Sequence, residues 1–265
     1  MTTADLPFPI NDKSVKVEYN EPSSCPPVLT TPVQAEYKPT GNTIKLDNDL
    51  DCYVTGSADS KAAIIYCYDI FLFSNNIYQA ADIFGKAGYR VIVPGYWKNE
   101  AFPEEFMNED ILMKALEVKT YYKAYKKYIN AAKNYLVETE KIEKVFIVGE
   151  CLGGRIAMSA AEDDGFYIGL GLIHPSLVTN SDIEKTNVPI VLFGASDDPD
   201  YTRGIKSINK KSFGKLNNYQ VYHDVAHGYA SSVADLKNPA VVKRLNDTFG
   251  VLVAHLDQIL ESYSK

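Results

Sequence analysis

Apolar and polar positions divide the chain into short strands that alternate with longer helical segments. Continuous apolar runs rich in β-branched residues predict buried strands at residues 62–68, 89–94, 145–148, 166–174 and 188–193, and a last short strand at 218–222. Apolar positions three to five residues apart predict helices at about residues 75–87, 104–138 and 239–263, and one directly after Cys151. Strands that alternate with helices predict an α/β fold, with a mainly parallel central sheet and helices on both faces.

The chain before the first buried strand differs in character. Residues 43–55 contain two short segments on either side of the polar triplet at 47–49, which predicts an antiparallel hairpin at the edge of the sheet. Residues 1–42 hold seven of the 13 prolines, including the pair that follows Cys25, and show no sustained period. We therefore expect an extended N-terminal arm over residues 1–42 and one α/β domain over residues 43–265.

Composition narrows the function classes. The net charge of -7 argues against nucleic acid as a partner, because binding phosphates needs a basic surface. No apolar run reaches the length of a membrane span and the first residues lack the features of a signal peptide, so we expect a cytoplasmic protein with no membrane partner. The four cysteines form no C-x-x-C pair and have no metal-ligand spacing with the four histidines. We therefore expect neither a metal site nor a disulfide framework.

The residues around Cys151 carry the strongest chemical signal. Between the strand at 145–148 and the following helix stands G-E-C-L-G-G, at residues 149–154. This is the cysteine form of the G-x-S-x-G nucleophile elbow, a strand-to-helix turn that lifts one side chain above the carboxyl edge of a sheet. A helix N-terminus favours a thiolate, and the N–H of Leu152 would point towards an oxyanion formed beside the sulfur. The alternative is a small buried core cysteine, which the glycine pattern and its context disfavour.

A nucleophile of this kind needs partners later in the chain, in the order nucleophile, acid, histidine. The strand at 188–193 leads into two adjacent aspartates, Asp197 and Asp198, which compete for the role of fixing the histidine tautomer and stabilising its charge. His227 follows the last short strand, where this fold requires its base. His174 precedes the acid segment, so we expect it to form part of a pocket wall.

The motif G-E-C-L-G-G resembles the nucleophile motif of the dienelactone hydrolase (carboxymethylenebutenolidase) family, α/β-hydrolases that use cysteine. A-H-G-Y at residues 226–229 is similar to the family's G-H-x-F, and V-T-G-S-A-D-S-K at 54–61 resembles eukaryotic members. The family spacing G-x-x-D selects Asp197 as the acid. In contrast, D-x-x-(V or F)-P and the distance from the proline that opens the strand select Asp198, which we prefer. The resemblance covers roughly residues 43–260.

The resemblance also implies roles for loops at the carboxyl ends of the strands. Asp69, which the sequence alone allows equally as a helix cap, matches an acidic residue that hydrogen-bonds the resting thiol. The N–H of Ile70 would then complete the oxyanion hole with that of Leu152. The residues expected to contact substrate, all near strand ends, are Tyr96, Trp97, Lys98 and Tyr229.

Two positions depart from the bacterial members and bear on the substrate. Where those enzymes place arginines that hold a substrate carboxylate, this chain has Asn99 and Ser231. Lys98 lies beside Asn99, but its ammonium is a flexible point charge rather than a bidentate fork. We therefore expect weak activity on dienelactone itself and a more neutral small ester or lactone as substrate.

We interpret the chain as a cysteine-dependent hydrolase that forms an acyl thioester on Cys151, uses no cofactor and acts as a monomer or homodimer. The alternative is a non-catalytic thiol protein, a redox sensor or scaffold that retains the α/β-hydrolase fold. A serine hydrolase that uses Ser176 or Ser196 is less favoured, because neither serine lies in an elbow sequence.

Overall fold

The computed structural model describes residues 36–47, 49–71, 73–97 and 119–263, which form one eight-stranded sheet with helices packed against it. The strands are β1 (Asn42–Leu46), β2 (Leu50–Thr55), β3 (Ala63–Cys67), β4 (Arg90–Pro94), β5 (Val145–Glu150), β6 (Leu170–Ile173), β7 (Ile190–Ala195) and β8 (Asn218–Tyr222). The helices are α1 (Asn75–Lys86), α2 (Lys119–Asn134), α3 (Leu152–Asp163), α4 (Asn180–Lys185), α5 (Thr202–Ile208) and α6 (Pro239–Ser262).

The order of the strands across the sheet is β1-β2-β4-β3-β5-β6-β7-β8. β1 pairs antiparallel with β2, and β2 pairs antiparallel with β4, whereas every other neighbouring pair is parallel. The predicted edge hairpin and mainly parallel sheet are therefore confirmed. Every residue of β3, β5, β6 and β7 is buried, as their continuous apolar runs require.

Helices cover both faces of the sheet. A Cβ atom on Gly149 would lie 2.2 Å from the carbonyl oxygen of Gly153 in α3. A Cβ on Gly171 would instead lie 3.0 Å from Val148 and 3.1 Å from Leu252 of α6. Because the adjacent β5 residues Val148 and Gly149 point to opposite faces, α3 and α6 lie on opposite sides of the sheet, as predicted.

Two element boundaries differ from the prediction. β6 begins at Leu170 rather than at residue 166, although Tyr167 and Ile168 are buried. Their apolar character therefore reflects burial in the connection before the strand, which the sequence pattern cannot distinguish from strand burial. Of the helix predicted at 104–138, the part before residue 119 lies outside the described residues. α2 ends at Asn134 and continues as one π-helical turn, Tyr135–Thr139.

A buried carboxylate ties the chain before β1 to α1. Oδ2 of Asp82 accepts hydrogen bonds from the Tyr37 hydroxyl at 2.8 Å and the Thr40 N–H at 2.9 Å, and Oδ1 accepts one from the Tyr53 hydroxyl at 2.8 Å. Burial alone would raise the pKa of Asp82, but these bonds and one from Thr55 hold it below its usual value. The last residues of the predicted arm are thus attached to the domain, and residues 1–35 lie outside the described residues.

Candidate active site

Cys151 lies in a sharp turn between the end of β5 and the start of α3. Its backbone dihedrals are φ 49° and ψ -124°, a combination that residues other than glycine rarely adopt. A Cβ on Gly149 would lie 2.2 Å from the carbonyl oxygen of Gly153, and one on Gly153 would lie 2.2 Å from that of Cys67. Both positions therefore require glycine. Strain of about 1–3 kcal/mol persists in such a turn only where the surrounding structure holds it.

The thiol of Cys151 is partly accessible, whereas the other described cysteines, Cys52 and Cys67, are fully buried. Its Sγ lies 3.5 Å from the Oγ of Ser176. Leu152 opens α3, so its N–H is one of the first-turn groups that have no intrahelical partner. The turn thus places the thiol of Cys151 beside backbone hydrogen-bond donors.

An aspartate and a histidine from the ends of β7 and β8 meet beside this turn. Nδ1 of His227 lies 2.6 Å from Oδ1 of Asp198, which is only 4% exposed. Oδ2 of Asp198 accepts a hydrogen bond from the Ala195 N–H at 2.7 Å, which fixes the carboxylate in place. Asp197, the competing candidate, is exposed and accepts a hydrogen bond from the backbone N–H of His227 at 2.7 Å. The structure therefore brings Asp198, not Asp197, against the imidazole ring.

The electrostatic surroundings of His227 favour its charged form. Burial by itself would lower the pKa of His227, but hydrogen bonds and charge interactions with Asp198 and Cys151 raise it from 6.5 to about 10. The far ring nitrogen, Nε2, lies 3.3 Å from the Oγ of Ser176. The imidazole is therefore oriented by a carboxylate on one side and faces the nucleophile on the other.

Asp69 has other partners than the expected one. Its Oδ1 accepts hydrogen bonds from the Phe71 N–H at 2.8 Å and the Ser232 hydroxyl at 3.0 Å, and its Oδ2 accepts one from the Ser232 N–H at 2.6 Å. Burial raises the pKa of Asp69, and these donors oppose that effect. Within the described residues the thiol of Cys151 lies in hydrogen-bond range of Ser176, and no hydrogen bond joins it to Asp69.

The loop after β3 nevertheless lies close to the nucleophile turn. A Cβ on Gly153 would lie 2.5 Å from the carbonyl oxygen of Tyr68, two residues before Ile70. Ile70 is half-buried in the bend that follows Asp69. The backbone of residues 68–70 and the first turn of α3 are therefore adjacent, as an oxyanion hole built from Ile70 and Leu152 would require.

The residues expected to contact substrate lie behind the site. The Tyr96 hydroxyl donates to the carbonyl oxygen of Tyr68 at 2.5 Å, and the Trp97 indole N–H donates to that of Asp69 at 2.8 Å. The Tyr229 hydroxyl shares a hydrogen bond of 2.8 Å with Thr248. All three aromatic side chains are buried, so they support the surrounding loops rather than offer polar groups to a substrate. Lys98 lies outside the described residues.

Sequence reasoning missed the position of a buried glutamate. Glu150 ends β5 directly before the nucleophile and is 0% exposed. The Tyr66 hydroxyl donates to its Oε2 at 2.5 Å, and its Oε1 has no hydrogen-bond partner within the described residues. Burial and then the charge of Asp69 raise the pKa of Glu150 well above its usual value, which favours its neutral form. The sequence signal for this buried glutamate was a charged residue at the carboxyl end of an otherwise apolar strand.

His174 forms a wall behind His227, with 4.7 Å between the ring centroids. Its Nε2 accepts a hydrogen bond from the Ala230 N–H at 3.3 Å, so the ring proton resides on Nδ1. Burial and then the charge of His227 lower the pKa of His174 well below its usual value. His174 is therefore neutral and lies beside the imidazole of His227.

No three His, Cys, Asp or Glu side chains in the described ranges lie close enough together to hold a metal ion. Within the same part of the chain, no helix combines the length and apolar character that crossing a membrane would require.

A mainly parallel sheet with a strained nucleophile turn after β5, an acid after β7 and a histidine after β8 is the α/β-hydrolase fold. The model of the dienelactone hydrolase family matches residues 50–256. The chain belongs to this family of hydrolases, so the resemblance inferred from the sequence is confirmed.

Individual relatives are distant. An uncharacterised AIM2 family protein of Schizosaccharomyces pombe is 22% identical over 220 residues, which cover 78% of this chain and 87% of the relative. The solved structure of a protein named m3DLH has a TM-score of 0.62 at 13% identity and covers 83% of this chain and 98% of its own. A putative dienelactone hydrolase of Klebsiella pneumoniae has a TM-score of 0.54 at 15% identity, with 79% of this chain and 98% of its own covered. The structural likenesses at these identities show the fold.

Proposed function

We propose that this protein is a cysteine-dependent hydrolase of small, uncharged carboxylic esters or lactones. The observation that carries the proposal is the continuous line from the thiol of Cys151 through Ser176 to His227 and Asp198, with successive distances of 3.5, 3.3 and 2.6 Å. Covalent hydrolysis needs a nucleophile, a base within reach and a carboxylate that orients the base. These groups stand together at the carboxyl edge of the sheet, where open α/β sheets build their sites.

In the first step, the thiol proton of Cys151 moves to His227, Sγ forms a bond to the carbonyl carbon and the carbonyl π electrons move onto the oxygen. The N–H groups of Leu152 and Ile70 stabilise that oxyanion, by about 3 kcal/mol for each donor in comparable sites. The carbon–oxygen bond to the leaving group then breaks, and His227 gives its proton to the departing alkoxide. The product of this half-reaction is an acyl thioester on Cys151.

In the second step, His227 takes a proton from water while the water oxygen bonds to the thioester carbon. The carbon–sulfur bond breaks, and the acid product leaves with Cys151 regenerated as the thiolate. Asp198 stabilises the imidazolium each time it forms. The raised pKa of His227 supports the imidazolium form that both steps require.

The surroundings of the site support an uncharged substrate. Ser231, which stands at the place of a carboxylate-binding arginine, is buried and donates its hydroxyl hydrogen to the Gly228 carbonyl at 2.8 Å. Asp69 and Ser232 form a hydrogen-bonded pair. Phe71 lies two residues after Asp69 and Val233 follows Ser232, and their apolar side chains are 40% and 64% exposed. Exposed apolar side chains of this kind would favour an uncharged acyl or alcohol group over a carboxylate.

The test is turnover of a short-chain p-nitrophenyl ester by the wild type, Cys151→Ala and His227→Ala, with Cys52→Ala as the matched control. Burial raises the pKa of Cys52 to about 12, so its removal takes away a thiol that stays protonated. We expect both site variants to lose turnover and the control to keep it. Iodoacetamide should label Cys151, because Cys52 and Cys67 are fully buried. Full turnover by Cys151→Ala would contradict the proposal.

Two further outcomes separate the remaining possibilities. A Cys151 that peroxide oxidises readily, in a protein with no ester turnover, would favour the non-catalytic thiol protein. Profiling with matched neutral and anionic esters tests the substrate class, and a strong preference for the anionic member would overturn the uncharged substrate.

A further inference from the structure

The hydroxyl of Ser176 lies within hydrogen-bond range of both the thiol of Cys151 and the imidazole of His227. Its Oγ lies 3.5 Å from Sγ of Cys151 and 3.3 Å from Nε2 of His227. Ser176 is half-buried, so the hydroxyl stands within the site rather than in bulk solvent. A hydrogen-bonded route between sulfur and imidazole therefore passes through this serine.

The loop that carries Ser176 is held firmly against the nucleophile turn. The Ser176 N–H donates to the carbonyl oxygen of Cys151 at 2.8 Å, and the Tyr201 hydroxyl donates to that of Pro175 at 3.0 Å. Pro175 packs onto Gly154, where a Cβ would lie 2.7 Å from the proline ring. The hydroxyl position is thus set by backbone contacts that do not depend on the serine side chain.

Two residues in this loop have unfavourable backbone angles. His174 has φ 34° and Leu177 has φ 58°, and neither is glycine. Such residues cost about 1–3 kcal/mol each and are concentrated at functional sites, where surrounding contacts hold them in place. The loop therefore stores strain next to the serine that it presents.

A hydroxyl suits this place because it donates one hydrogen bond and accepts others. The carboxylate of Asp198 accepts a hydrogen bond from Nδ1–H of His227. Nε2 of His227 is therefore the atom that gains or loses the mobile proton. With the proton on sulfur, S–H donates to Oγ and O–H donates to Nε2. With the proton on His227, Nε2–H donates to Oγ and O–H donates to the thiolate. The same three atoms are hydrogen-bonded in both states.

We propose that Ser176 relays the proton between Cys151 and His227, an inference that rests on the proposed hydrolase function. The S–H proton moves to Oγ of Ser176 while the serine's own proton moves to Nε2. The sulfur keeps the electron pair of the broken S–H bond, and the products are a thiolate, an intact hydroxyl and an imidazolium. The reverse shift restores the thiol after the thioester is hydrolysed.

The experiment compares full-length wild type, Ser176→Ala, which removes the hydroxyl, and Ser176→Thr, which retains it. The first readout is the rate of iodoacetamide alkylation of Cys151 as a function of pH. The second is the rate of the acylation burst with p-nitrophenyl acetate, measured in mixtures of H2O and D2O. Other ionisable groups near the pair, namely Glu150, Asp69 and His174, are the same in all three proteins, so differences report on residue 176.

We expect Ser176→Ala to move the midpoint of the alkylation curve to higher pH and to slow acylation on the order of 100-fold, with KM nearly unchanged. Ser176→Thr should restore most of both values. The dependence of the acylation rate on the D2O fraction should indicate two protons in motion in the wild type and one in Ser176→Ala. A purely structural role of Ser176 would not alter that proton count.

Unchanged alkylation, acylation and isotope dependence in Ser176→Ala would overturn the relay and leave the proposed hydrolase function standing. If circular dichroism showed that Ser176→Ala does not fold, Ser176→Thr would be the test. The relay then requires that acylation by Ser176→Thr keep the isotope dependence of two protons in motion. If Cys151→Ala kept turnover and the double variant with Ser176→Ala lost it, Ser176 would be the nucleophile. Both the relay and the cysteine mechanism would then be wrong.

Discussion

Replacing Asp198 with asparagine changes one charge at the most constrained point of the site. The Ala195 N–H lies 2.7 Å from Oδ2 of Asp198 and needs an acceptor, so the single oxygen of the asparagine would occupy that position. Its NH2 group would then face Nδ1 of His227, which must accept a hydrogen bond. The ring proton would be driven to Nε2, the wrong tautomer for taking a proton from the nucleophile.

The structure also sets the size of the electrostatic loss. The pKa of His227 rises from 6.5 to about 10, which corresponds to roughly 5 kcal/mol at ~1.4 kcal/mol for each unit. Asp198 and Cys151 share this stabilisation, and solvent screens part of it because the His227 side chain is 31% exposed. We assign about 2 kcal/mol to Asp198, or about 30-fold in kcat/KM. The tautomer effect extends the expected loss towards about 10⁴-fold.

The assay is kcat/KM for a short-chain p-nitrophenyl ester across pH 5 to 10, with Asp197→Asn as the matched control. Asp197 is exposed and accepts one backbone N–H, which the amide oxygen of asparagine can still accept, so this variant should lose no more than about fivefold, or about 1 kcal/mol. In Asp198→Asn the alkaline limit of activity should also move to lower pH, because the pKa of His227 falls back towards 6.5. A larger loss for Asp197→Asn than for Asp198→Asn would refute the assignment of the acid.

Two further predictions concern the nucleophile turn and the buried acid beside it. Gly149→Ala places a Cβ 2.2 Å from the Gly153 carbonyl oxygen, so it should destabilise the fold by about 1–3 kcal/mol and lower Tm by several degrees. The control Gly165→Ala has open space at its Cβ and should leave Tm unchanged. Equal Tm values of the two variants in thermal unfolding would contradict this prediction. Because the folded-state pKa of Glu150 is raised, its stabilising contribution is complete below the unfolded carboxyl pKa and is lost as pH rises towards the folded value. Glu150→Gln, which stays neutral, should therefore match the wild type near pH 4 and gain relative stability above it by roughly 1.4 kcal/mol for each pH unit. Urea unfolding at several pH values measures the difference in unfolding free energy between Glu150→Gln and the wild type. For the exposed control Glu162→Gln this difference should not change with pH. The same constant difference for Glu150→Gln would count against a raised pKa of Glu150.

The nucleophile turn was predictable because the glycine spacing of its motif is typical of such turns. The approach that excludes a Cβ at Gly149 involves Gly153 of the same turn, whereas the approach at Gly153 involves Cys67 in the adjacent strand. The order of acid and histidine also follows from the fold, which places His227 after the last strand. Even the choice between Asp197 and Asp198 was within reach, since the spacing from the strand fixes which side chain can turn inward.

The remaining contacts depend on loops that are distant in the sequence. Asp69 is held by Ser232, 163 residues later, so the orientation of its carboxylate is set by a loop that is distant in the sequence. The position of Ser176 beside Cys151 depends on how the loop after β6 bends, at residues whose unfavourable backbone angles no propensity predicts. Tyr96 was expected to contact substrate because it follows a strand end, but its hydroxyl turns inward to a backbone carbonyl.

The hydrogen bonds around Asp82 determine where this domain can be shortened. A chain that began at residue 42 would contain every strand, yet it would lack the Tyr37 hydroxyl and the Thr40 N–H that donate hydrogen bonds to Asp82. An ionised carboxylate left buried with fewer donors costs about 1–3 kcal/mol or more for each lost partner. The smallest stable fragment should therefore begin before Tyr37, earlier than residue 50, where the family match starts. A pair of fragments that start on either side of Tyr37 and Thr40 would measure how much of the domain's stability these few residues supply.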